Sequence, residues 1–112
     1  VSGDSTEARF WAVAEPLLAD ATVTRSTMMG LPCLRADGRF FASFDRRNAA
    51  LIVKLPASRV NELMESGGAE PFAPSGRRFR EWAAIGSGRP ETWPALLREA
   101  LAFVAAQQVS DS

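Results

Sequence analysis

Asp37-Gly38 separates two runs of strand-forming residues, Cys33-Leu34-Arg35-Ala36 and Arg39-Phe40-Phe41-Ala42-Ser43-Phe44. This dipeptide constrains the fold more than any other feature. A two-residue link between antiparallel strands uses a type I′ turn, which needs positive φ at both central residues, and Asp followed by Gly meets that demand. The turn sets Ala36 opposite Arg39, hence Leu34 opposite Phe41 and Cys33 opposite Ala42. Side chains alternate along a strand, so Leu31, Cys33, Phe40, Ala42 and Phe44 are expected on one face, taken as the core side, with Leu34 and Phe41 on the other. The Leu34/Phe41 pair is then either covered by another segment or an exposed apolar patch that suits a protein partner or a second copy of the chain.

Strand and helix signals surround this hairpin in a simple order. Phe10, Val13, Ala14, Leu17 and Leu18 recur at helical spacing after Asp4 and Glu7, a capping-box pair, and Pro16 should kink or end that helix. Thr22 to Met28 is rich in β-branched residues and reads as an extra strand ahead of the hairpin. Asp45-Arg46-Arg47-Asn48 is a polar turn into the strand Ala50 to Leu55, which Pro56 ends. A short helix follows, with Ser58 as its cap, Val60, Leu63 and Met64 inward, and Gly67-Gly68 as its left-handed exit. Residues Glu70 to Gly76 read as loop or broken edge strand, Arg78 to Ile85 as a strand, and Trp93, Leu96, Leu97, Ala100, Leu101 and Val104 as the stripe of a closing helix that frays from Val109. The expectation is an α+β fold of two layers: an antiparallel sheet with helices on one face, in the order α-β-β-β-α-β-α with an extra strand at the start. It forms a single domain over 1–112, ordered over 5–107.

Composition narrows the chemistry. The chain has no histidine and one cysteine, Cys33, which excludes Ser-His-Asp and Cys-His nucleophilic pairs and any His-ligated or multi-Cys metal site within one chain. Cys33 is expected to pack as a small apolar residue. No cofactor or metal is expected, and the carboxylates read as turn formers or solvated surface. No apolar run approaches the roughly 20 residues that span a bilayer. With one cysteine and no signal segment, the expected compartment is the cytoplasm.

The formal net charge is zero, yet residues 21–90 hold eleven basic against six acidic side chains. Arg46 and Arg47 in one turn, with Arg77, Arg78 and Arg80 near another, are the candidate anion- or nucleic-acid-binding surface, with Phe72, Phe79 or Trp82 as apolar neighbours. The alternative is a set of solvated hairpin edges blunted by charge. Gly86-Ser87-Gly88, between a strand and a helix, lacks the third glycine of a dinucleotide fingerprint and reads as a plain turn.

The run Thr27 to Ala42, with Met28, Gly30, Asp37-Gly38-Arg39 and Phe41-Ala42, resembles the hairpin of TfoX N-terminal-like and MmcQ/YjbR-like domains. The strand Leu51 to Leu55 with Lys54, and Arg80-Glu81-Trp82 before the closing helix, are similar to their later elements. The resemblance implies a small two-layer domain without shared catalytic residues, some members being linked to DNA binding or to competence regulation. The function expected from all of this is a non-enzymatic binding or regulatory module with DNA as the named ligand. The alternatives are a protein-interaction or homodimerisation domain working through Leu34 and Phe41, and, third, a small-molecule enzyme using carboxylates and Arg.

Overall fold

A type I′ bend does form at the centre of the chain: Asp37 and Gly38 have φ of 49° and 85°. The computed structural model describes residues 2–28, 31–46, 48–72, 80–86, 88 and 90–111. The elements are α1 (Ser2–Ala14), a 3₁₀ segment (Glu15–Ala19), β1 (Val23–Met28), β2 (Leu31–Ala36), β3 (Arg39–Asp45) and β4 (Ala50–Lys54). They continue with α2 (Ala57–Ser66), β5 (Glu70–Pro71), β6 (Trp82–Gly86), a second 3₁₀ segment (Pro90–Thr92) and α3 (Trp93–Asp111). Six strands form one sheet in the order β1-β2-β3-β4-β6-β5, every neighbouring pair antiparallel. The α+β order read from the sequence is present, β1 being the extra first strand and β5 a two-residue addition at the far edge.

Local chemistry explains where most elements stop. Pro16 falls in the first turn of the 3₁₀ segment, and α1 ends just before it at Ala14. That helix already starts at Ser2, so Asp4 lies inside its first turn and not ahead of it. Asp20 leads into β1 by accepting from the Thr22 backbone N–H and hydroxyl at 2.9 and 2.8 Å. Pro56, not Ser58, occupies the residue before α2, because its fixed φ of −56° with extended ψ suits that position; Ser58 falls within the first turn. Gly67 takes the left-handed exit with φ 80°, and the N–H of Gly68 reaches the Leu63 carbonyl at 2.8 Å. The helix α3 runs to Asp111, past the expected fraying point.

The core lies between the sheet and the helices. Phe10 and Ala14 of α1, Val60 of α2, and Trp93, Leu97, Ala100 and Val104 of α3 meet Ala36, Phe44, Leu51, Val53, Ala83 and Ile85 of the strands, all buried. α3 crosses β2, β3 and β4 and touches α1. In β4 and β6 every second residue, Leu51 and Val53, then Ala83 and Ile85, enters this apolar layer.

One irregularity corrects the hairpin reading. Ala36 pairs with Arg39 and Arg35 with Phe40, but then Leu34 pairs with Ala42 and Cys33 with Ser43. Phe41 is therefore an extra residue, a β-bulge, and the alternation of sides shifts there by one position. The face expected as core is split: Ala42 and Phe44 point to the helices, while Leu31, Cys33 and Phe40 lie outside the core cluster on the other face. Leu34 and Phe41, expected on the second face, are both 0% exposed within the core. They present no contact patch to a partner.

Candidate functional site

The face turned away from the helices carries the remaining residue of each pair. Lys54 pairs with Trp82 across β4 and β6, and Arg35 with Phe40 across β2 and β3. Pro71 pairs with Ala83, which sends the next residue, Phe72, to the side of Trp82; their ring centroids are 6.4 Å apart. Ala42 pairs with Val53, so the Phe40 end of β3 and the Lys54 end of β4 are the same end of the sheet. Across the strands this end reads Arg35, Phe40, Lys54, Trp82, Phe72, cation and aromatic side by side. None of the five belongs to the core cluster and each is half-buried. The Arg35 guanidinium carbon lies 4.3 Å from the centre of the Phe40 ring, a cation–π contact.

Beside Trp82 the row opens into a groove of about 440 Å³ lined by Lys54, Ala57, Arg80, Glu81 and Trp82. Arg80 stands just before β6 and Ala57 is the first residue of α2. The Leu55 N–H donates to the Glu81 carbonyl at 2.8 Å, which ties together the strand ends that carry Lys54 and Trp82. Among its lining residues the groove has one carboxylate, Glu81, and neither hydroxyl nor thiol. Paired-carboxylate catalysis has no second acid there.

Two arginines elsewhere are held by carboxylates. Arg46 Nε donates to Glu7 at 2.7 Å, and this guanidinium holds the Glu7 carboxyl below the usual carboxylate range. Arg59 donates to Glu99 at 2.9 Å and to Glu62 at 3.3 Å; the bond to Glu99 raises its already high pKa and links α2 to α3. Lys54 and Arg80, by contrast, make no ion pair among the described residues. The groove therefore sets two cations, neither held in an ion pair, beside one carboxylate, Glu81.

The structure separates the arginines that the sequence groups. Arg46 adjoins the Asp45–Ala50 end of β3 and β4, and Arg80 precedes the Trp82–Lys54 end. The two ends are about 13 Å apart along β4 at the usual strand rise, so Arg46 and Arg80 belong to different corners. Arg47, Arg77, Arg78 and Phe79 lie outside the described residues, as does Ser87 of the Gly-x-Gly turn. Arg35, Phe40 and Lys54 were not expected as site residues. Lys54 and Trp82 were legible in principle, since each alternates with apolar neighbours that face the helices. Phe40 was hidden by the bulge.

In the middle of this face Cys33, Ser43 and Ile52 are buried. The Ser43 hydroxyl donates to the Pro32 carbonyl at 3.0 Å, and burial pushes the Cys33 thiol pKa up, against a reactive role. Among the described residues there is no group of His, Cys, Asp and Glu that would hold a metal ion, and no helix is long and apolar enough to cross a membrane. Comparison of the chain with family models, with curated proteins and with solved structures returns no match.

Proposed function

We propose that this chain is a non-catalytic binding module, regulatory in type, whose ligand is an anionic polymer, with DNA as the named candidate. The observation that supports it is the corner where Lys54 and Arg80, which make no ion pair among the described residues, line one groove with Trp82 and Glu81. Two cations beside an aromatic ring meet a nucleic acid with charge for its phosphates and a flat surface for its bases. The resemblance of residues 27–42 to TfoX-like and YjbR-like hairpins supports the same reading, because some of those domains are linked to DNA binding. Leu34 and Phe41 are enclosed in the core, which leaves no surface for a dimer built on them.

A chain of zero net charge has no long-range attraction to add, so the affinity is expected to be modest and strongly dependent on salt. Fluorescence anisotropy of a labelled oligonucleotide, titrated with protein from low to moderate salt, tests the reading. Replacing Lys54 and Arg80 together by Gln should weaken binding and lower the salt slope by about 2, one for each lost phosphate contact. No binding at micromolar protein in low salt would remove the proposal.

A further inference from the structure

The row of side chains that continues from the groove says how such a polymer would lie. We propose that the face of the sheet opposite the helices is a stacking platform for a single-stranded nucleic acid, with bases on Trp82 and Phe40 and phosphates near Lys54, Arg80 and Arg35. This rests on the binding function proposed above and adds the strand form and the contact mode. Phe40 and Trp82 stand two interstrand spacings apart, about 10 Å, with Lys54 on the strand between them. Phe72 extends the aromatic surface on the far side of Trp82, at 6.4 Å between ring centres. All three rings are half-buried, so each keeps part of its surface in water. A duplex hides its bases from such rings, whereas a single strand offers every base face to stack, largely without regard to sequence.

Intrinsic fluorescence makes the contact visible, because the three tryptophans differ in their surroundings. Trp93 is fully buried and Trp11 belongs to α1 on the opposite side of the sheet, so Trp82 is the ring a stacked base would quench. Single-stranded oligothymidylate and a mixed-sequence duplex of equal length are each titrated into the full chain. The single strand should bind more tightly and quench the emission. Trp82→Phe should lose the quench and keep the binding seen by anisotropy, with the unfolding midpoint of the wild type. Trp82→Ala and Phe40→Ala should each weaken single-strand binding about tenfold. Duplex binding as tight as single-strand binding, or a quench that survives in Trp82→Phe, overturns the platform while leaving the salt-dependent binding in place. Absence of binding to either oligonucleotide overturns both.

Discussion

Phe41 is wholly enclosed on the helix side of the sheet, whereas Phe40, its neighbour in the chain, lies half-buried on the far side with the Arg35 guanidinium 4.3 Å from its ring centre. The two residues have the same side chain and the same strand, and they lie on opposite faces of the sheet at the bulge. The helix side buries the apolar core, and Arg46–Glu7 and Arg59–Glu99 pair at its rim. The far side sets cations next to aromatic rings at one end and small residues such as Cys33 and Ser43 at its centre. On the proposed reading, stability and recognition fall on different faces of one layer.

The largest expected effect separates the two phenylalanines. Phe41→Ala removes a buried ring from a packed layer and should cost about 3–5 kcal/mol. Phe40→Ala gives up partial burial and a cation–π contact and should cost about 1 kcal/mol. Urea unfolding of both variants measures the difference; equal costs would break the distinction between the faces. The next effect concerns the turn between β3 and β4, where Ala49 has φ 51° without being glycine. Ala49→Gly relieves that left-handed strain, and after the added chain entropy it should stabilise the protein by roughly 0.5 kcal/mol. No gain in the unfolding midpoint would mean that the turn is not strained.

Smaller effects come from titration. Hydrogen bonding to Arg46 lowers the pKa of Glu7, and hydrogen bonding to Thr22 lowers that of Asp20. Each group therefore holds fewer protons folded than unfolded at mildly acid pH. Their contribution is present above the usual carboxylate range and is lost as pH falls through the lowered folded values. Glu7→Gln should flatten that acid limb of a stability–pH profile, and an unchanged limb would show that the Arg46 pair contributes nothing. Cys33 works in the opposite direction: burial raises its pKa, so its contribution is present below the usual thiol pKa and fades as pH rises through the folded value. A disulfide reagent should label Cys33 only as fast as the chain unfolds. Rapid labelling of the native protein would mean that the centre of the far face is open after all.

Much of the architecture follows from local chemistry. Asp37-Gly38 dictates a type I′ hairpin because both positions need positive φ, Pro16 and Pro56 close their elements because they lack an N–H, and Gly67 ends α2 because it accepts φ 80° without a side-chain penalty. The stripe Trp93, Leu96, Leu97, Ala100 and Val104 specifies a buried helix face through its period alone. The side on which each hairpin residue would lie was not legible, since a bulge leaves no local mark in Arg39-Phe40-Phe41-Ala42 and one inserted residue reverses every assignment on one side of it. The candidate site was legible only in part: Arg80 and Trp82 are neighbours in the chain, but Lys54 joins them only when β6 pairs with β4. Short-range sterics belong to the sequence by itself. Which charges and rings become neighbours depended on strand pairing across the sheet, a long-range choice that only the assembled core decides.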